Sequence, residues 1–234
     1  MDTYWASSLS AGTGSWRLDP KSKEFGPNAK YYQYDVAEAK KLLAAAGYPN
    51  GLDVVSSYIP GPELGDAYLR ENQVLEDMAR QAGFRPKTNL IDYAIEYPKY
   101  RDGHGKFEGW AYIAGPTIAD DAVGVLVWRY SKAGGAGYLG FDTAGTGDGS
   151  GDPQVEALLK KATSELDTEK RRTLVHDIQR YLAAKQYNVT KPGATSTFSL
   201  TWPVLGNFGV YSGDRRGDNY YWWIDDTQPP LKKA

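Results

Sequence analysis

The clearest pattern of apolar and polar positions runs over residues 34–51, YDVAEAKKLLAAAGYPNG. Ala39, Leu42, Leu43 and Ala46 recur at the spacing of one helix face, while Lys40 and Lys41 fall on the other. Asp35 stands just before the stripe and Glu38 follows three residues later, so each side chain can satisfy an amide freed at the first turn. Gly47 supplies a left-handed stop and Pro49 cannot continue a helix. Val54, Val55 and Tyr58 then mark residues 52–59 as a strand.

The same alternation continues. Leu64, Tyr68, Leu75, Met78, Ala79 and Ala82 form a second stripe over residues 64–83, closed by Gly83. Residues 85–92 and 107–114 read as strands, the latter as the run FEGWAYIA, with a short helical turn or loop at 95–100 between them. Asp120 and Asp121 open a short helix through Val123, Leu126 and Val127. Asp152 with Pro153, and then Asp167, begin two more helices, with Val155, Leu158, Leu159 and Ala162 facing inward on the first and Leu174, Ile178, Tyr181 and Leu182 on the second. Phe198, Leu200, Trp202 and Val204 alternate as a half-buried strand should. Helices alternating with strands predict an α/β fold, a mixed sheet flanked by helices.

Three regions follow from this patterning. Residues 1–33 hold glycines, prolines and scattered aromatics without a period, and read as an irregular connector that Trp5 and Trp16 should press against a neighbour. Residues 34–186 form the α/β lobe. Residues 187–234 form a β-rich tail whose Tyr220, Tyr221, Trp222 and Trp223 need a docking surface. The glycine-rich stretch 133–153 within the lobe is loop by composition.

Composition narrows the chemistry. In 234 residues there is no cysteine, which removes thiolate metal sites and a cysteine nucleophile. A formal charge of -2 gives no broad attraction to nucleic acid or anionic lipid. No apolar run reaches the roughly 20 residues of a membrane helix, and the first residues lack the basic and apolar regions of a signal peptide. Eighteen tyrosines and seven tryptophans suit both a core and a wet ligand cleft.

Familiar catalytic and metal motifs fail on inspection. The glycine-rich loop is not followed by Gly-Lys-Ser/Thr, so it does not cradle a phosphate. A calcium loop starting at Asp148 places Pro153 where glycine is required and Leu159 where a bidentate glutamate is required. His104 and His176 are the only histidines, and neither has a carboxylate at ligand spacing on its own element, so no metal and no cofactor is expected. No Gly-x-Ser-x-Gly elbow exists. A triad assembled by the fold would have to use His176 or His104 as its base, and this small serine esterase is the alternative functional reading. Asn188-Val189-Thr190 matches a glycosylation acceptor, a pattern that is common by chance.

In order along the chain, the segment from Tyr34-Asp35 to Pro49-Asn50-Gly51, a helix ending Ala82-Gly83-Phe84, the Gly109-Trp110 strand, and Asp152-Pro153 through Leu182 resemble the C-terminal half of family 5 extracellular solute-binding proteins, the dipeptide, oligopeptide and nickel-binding class that serves ABC importers. The resemblance implies one lobe of a two-lobed protein, an extracytoplasmic location, and a partner permease. It also implies a missing N-terminal lobe, to which the tail would return, and self-association of a chain without it. Trp110 matches a tryptophan of the family's binding strand, but Ile113 stands where peptide-binding members carry an aspartate for the ligand's α-amino group. A buried ammonium without that carboxylate is costly, which disfavours a free-amine dipeptide, although Asp120 or Asp121 could substitute. Trp110 and Tyr112, two apart on a strand, share a face and line one cleft wall or pack under a helix; Tyr138 and Phe141 are further cleft candidates. Such aromatic surfaces suit a sugar-like as well as a peptide-like solute.

Overall fold

A computed structural model describes residues 5–61, 63–101, 107–112, 121–132, 134, 151–190, 201–208 and 218–231. Helix α1 spans Val36–Ala45 and is capped by Asp35, whose carboxylate accepts the Glu38 amide at 2.9 Å. The reciprocal half of the expected capping box is absent: the Glu38 side chain instead faces Lys41 at 3.9 Å and Lys30 at 4.0 Å. Gly47, at a φ of 95°, ends the helix as expected. The stripe is thinner than its spacing implies. Leu43 is the buried residue of α1, while Leu42 lies 46% exposed.

Strand β1 (Leu52–Tyr58), helix α2 (Asp66–Ala82) and strand β2 (Phe84–Leu90) form one βαβ unit, with β1 and β2 parallel from Leu52↔Phe84 to Tyr58↔Leu90. After helix α3 (Tyr97–Arg101), strand β3 (Trp110–Ala111) joins the other side of β1, giving the order β2-β1-β3. All described pairs in this sheet are parallel. Antiparallel pairing is confined to the separate ribbon of β4 (Leu205–Gly206) and β5 (Trp223–Ile224), so the expected mixture lies between two sheets rather than within one.

The third strand starts later than residues 107–114 predict. Gly109 has a φ of 74°, a conformation that breaks the extended run just before Trp110. Its Cα also lies so close to β1 that an added Cβ would fall 2.0 Å from the Val55 carbonyl oxygen. Gly109→Ala is therefore expected to cost roughly 1–2 kcal/mol from the left-handed backbone alone, and more from the clash. Loss of the Trp110 indole shift from its native position in nitrogen–proton spectra, alongside a lower urea midpoint, checks this. Residues 113 and 114 lie outside the described residues.

Helix α2 buries Tyr68 and Ala82 of its apolar stripe and half-buries Leu75 and Ala79, as is Leu64 just before the helix, whereas Met78 is 37% exposed and the polar Asn72 and Glu76 join the inward face. Two polar side chains tolerate burial because each is satisfied: Asn72 donates to the Tyr68 carbonyl at 2.7 Å, and Glu76 accepts from Thr88 of β2 at 3.0 Å and from Arg80 at 2.9 Å.

The second layer is helical. Helices α4 (Ala122–Tyr130), α5 (Pro153–Ser164) and α6 (Thr168–Lys185) begin at Asp121, Asp152 and Asp167, each accepting first-turn amides through its side chain. Their apolar faces close one core around Val123, Leu126, Tyr130, Val155, Leu159 and Ile178. Residues 5–32 carry short 3-10 turns and wrap this layer rather than standing apart: Leu9 enters the core, Phe25 and Leu18 pack on Ala183, and Trp16 lies under Arg172 at 5.4 Å. Gln179, fully buried, accepts from the Ser7 hydroxyl at 2.8 Å and the Leu18 amide at 2.9 Å, and donates to the Trp16 carbonyl at 2.8 Å. Past α6 the chain returns to the same place, where Thr190 donates to the Ala6 carbonyl at 3.0 Å.

In the tail, Trp202 is 63% exposed and outside any strand, while residues 198 and 200 lie outside the described residues. Trp222 packs on Phe208 at 5.3 Å, and Tyr220, Tyr221 and Trp223 remain exposed.

Candidate ligand-binding site

In open α/β sheets ligands collect at the carboxyl ends of parallel strands, because the crossovers leave a crevice there. Here that edge is Tyr58, Leu90 and Ala111 with their following residues. Register divides the sheet into two faces. Ser56, Thr88 and Trp110 point one way, and Ser57, Asn89 and Ala111 the other.

The first face lies under α2. The Trp110 indole donates to the Ser56 hydroxyl at 2.8 Å and meets Phe84 edge-on at 5.7 Å. Tyr112 donates to Glu71 of α2 at 2.8 Å, and its ring lies 4.9 Å from that of Tyr68. Tyr68 in turn donates to the Tyr112 carbonyl at 2.6 Å, and burial raises its phenol well above the ordinary tyrosine value, so it stays a neutral donor. Trp110 and Tyr112 thus share a face as expected, and both are half-buried. With Tyr58, Ile59, Ile91 and Tyr97, the Tyr68–Tyr112 pair closes an aromatic cluster at the strand ends.

The second face carries a polar trio. Asn89 donates through Nδ2 to the Ser57 hydroxyl and to the Tyr100 hydroxyl of α3, both at 3.1 Å, and Ser57 donates to Tyr100 at 3.4 Å. Phe107 lies 5.2 Å from the Tyr100 ring and backs it. The apolar and turn signals that mark helices and strands do not single out these three residues; their one sequence trace is Ser57 and Asn89 standing in strands, where serine and asparagine have little intrinsic reason to be.

Beside the edge, a depression of about 610 Å³ is lined by Tyr58, Leu69, Glu76, Arg80, Thr88 and Leu90. Its charges are already spent on one another, Arg80 pairing with Glu76 at 2.9 Å and with Asp77 at 2.6 Å.

His176 is half-buried on α6, and its Nε2 donates to the Ser15 carbonyl at 3.1 Å. Among the described residues no serine hydroxyl lies within hydrogen-bond distance of its ring. His104, Tyr138, Phe141, Ile113 and Asp120 lie outside the described residues, while Asp121 caps α4 and meets Arg171 at 3.4 Å. Among the described residues no group of three histidines, aspartates or glutamates is placed to hold a metal ion. Neutral hydrogen-bonding groups and aromatic faces make a surface that can bind and orient a solute.

No protein-family model matches the chain, and no curated protein matches its sequence. Solved structures do match in fold. The structure of HbpA2 from Haemophilus parasuis aligns over 67% of this chain and 29% of its own, at 22% identity and a TM-score of 0.55. The periplasmic binding protein AgaA of A. tumefaciens R10, in complex with agropinic acid, aligns over 80% and 34% at 20% identity and a TM-score of 0.58. MoaA of the same strain, in complex with mannopinic acid, aligns over 73% and 32% at 20% identity and a TM-score of 0.51. The architecture is that of a lobe of a periplasmic solute-binding protein. The chain spans about a third or less of the length of these proteins.

Proposed function

We propose that the chain is the C-terminal lobe of the solute-binding component of an ABC importer, acting outside the cytoplasm. The observation that carries this is the parallel sheet with an aromatic cluster at its carboxyl edge, in a fold aligned with AgaA and MoaA. The solute is small, peptide-like or sugar-like, and held by hydrogen bonds and aromatic contacts in a cleft completed by an N-terminal lobe. Closure of the two lobes is favoured because the closed state makes contacts with solute that the open state lacks. A permease then accepts the loaded protein. Trp110, Tyr112, Tyr138 and Phe141 are assigned to the cleft, and no cofactor takes part. The described helices include none long and apolar enough to cross a membrane, in keeping with such a role.

One lobe supplies only part of the contacts, so its own affinity is expected to be weak. Titration of the purified chain with mannopinic acid, agropinic acid and an N-blocked dipeptide should give saturable binding in the millimolar range, about -4 kcal/mol. Adding a separately expressed N-terminal lobe should tighten it by at least tenfold. Micromolar binding by the monomeric chain alone would contradict the two-lobe reading. The exposed tail aromatics predict that the chain elutes as a dimer or larger in light scattering, and as a monomer once the second lobe is supplied.

A further inference from the structure

The Ser57–Asn89–Tyr100 trio has hydrogen-bonding capacity that the protein does not use. Both protons of the Asn89 amide are given to hydroxyls. The two lone pairs of the Tyr100 oxygen are taken by Asn89 and Ser57, which leaves the Tyr100 proton without an acceptor among the described residues. Among the described residues nothing donates to Asn89 Oδ1, and that oxygen is not sequestered in the interior. Ser57, only 1% exposed, anchors the other two from beneath. An unused donor and an unused acceptor on two half-buried residues therefore stand side by side, oriented by a fixed residue.

The charge around the trio restricts what it can take. On this face of the sheet Asp53 is neutralised by Arg85 at 2.5 Å, near the opposite end of the strands. Lys87, two residues before Asn89, shares its face and is exposed. Among the described strand residues of this face Asp53 is the one carboxylate, and the nearby Asp92 and Glu96 are engaged by backbone amides of their own turn. An ammonium group would be left without a counter-charge, whereas a neutral or anionic solute would not.

We infer that the Ser57–Asn89–Tyr100 trio is a recognition subsite for an uncharged group that both accepts and donates a hydrogen bond, a carboxamide or a hydroxyl, on a solute that is neutral or anionic overall. Tyr100 donates to the group's oxygen and Asn89 Oδ1 accepts its proton. This rests on the solute-binding reading above and adds the chemical class of the solute and the residues that select it. It also moves selection to the face opposite Trp110 and Tyr112.

Nitrogen–proton spectra of the full chain test this, because the Asn89 side-chain amide and the Trp110 indole both carry N–H groups that such spectra report. The Asn89 pair is assigned by its disappearance in Asn89→Asp. The probes are N-acetylglycinamide for the carboxamide, mannitol for the hydroxyl, mannopinic acid for an anion bearing hydroxyls, and glycine methyl ester for a cation. Saturable shifts of the Asn89 amide with one of the first three, absent with the cation and weakened roughly fivefold in Tyr100→Phe, the size of one net hydrogen bond, support the subsite. The Tyr100→Phe spectrum must otherwise overlay that of the native chain. Shifts confined to the Trp110 indole would overturn the subsite and leave the binding reading standing. Silence of every resonance with all four probes would overturn both. Equal response to the cation would overturn the charge selection.

Discussion

Replacing Gln179 with leucine is expected to lower the stability of the chain by roughly 3–5 kcal/mol, since a buried polar group left without its partner costs about 1–3 kcal/mol. Three groups lose their partner at once: the Ser7 hydroxyl, the Leu18 amide and the Trp16 carbonyl. Leucine fills most of the volume, so the loss is one of hydrogen bonding more than packing. The Ser7 hydroxyl and the Leu18 amide cannot turn to water, because Ser7 and Leu18 are at most 3% exposed, while Trp16 is half-buried. The change should lower the urea midpoint at unchanged slope. It should also release the segment around Leu18 from protection against hydrogen exchange before α6 itself opens. A midpoint shift worth under about 1 kcal/mol would mean that the wrapping of residues 5–32 on α6 contributes little.

The second large effect is expected at Asp152. This carboxylate is 2% exposed and accepts four hydrogen bonds: from the Gln154 and Val155 amides at 2.8 and 3.4 Å, and from the Tyr181 and Tyr187 hydroxyls at 2.7 and 2.6 Å. Burial by itself would raise its pKa, but the two phenols and two amides outweigh burial and hold it below the ordinary carboxylate value. Its contribution is therefore present above the unfolded value near pH 3.8 and is lost as pH falls through the lower folded value. The partners titrate in the opposite sense. Burial first, and then the bond to Asp152, push Tyr181 up to about 12 and raise Tyr187 as well. Their contribution is complete below the unfolded value of 10.0 and is lost as pH rises through the folded values. Asp152→Asn should cost roughly 1.5–3 kcal/mol near pH 7, the range for a hydrogen bond to a charged group. It should also flatten both limbs of the stability profile measured by urea titration from acid to alkaline pH. A variant whose profile keeps both limbs would place the pH dependence elsewhere.

Helix starts were legible because they are local. Asp35, Asp121, Asp152 and Asp167 each cap the helix that their position announces, through side chains reaching only two or three residues along the chain. Which helix face is covered was less legible, since that depends on what arrives from elsewhere. Leu42 has the spacing of a core residue yet is left half exposed, while Glu76 becomes a core residue because Thr88 and Arg80 surround it. For the site, the period of a strand was enough to put Trp110 and Tyr112 on one face. It could not say that α2 covers that face, nor that Ser57 and Asn89, 32 positions apart, meet through the parallel register of two strands. Polar residues acquire a role from the groups brought opposite them, and that information is held in the pairing rather than in the residues.

The hydrogen bond between Thr190 and the Ala6 carbonyl has a consequence for engineering. It brings two positions 184 residues apart in the chain side by side, so the polypeptide between them begins and ends at one place. A body with its entry and exit side by side can be spliced into a surface loop of an unrelated protein without stretching the host, the condition under which inserted domains are tolerated. The same junction would let a reporter fused across it sense any separation of the two segments that meet there.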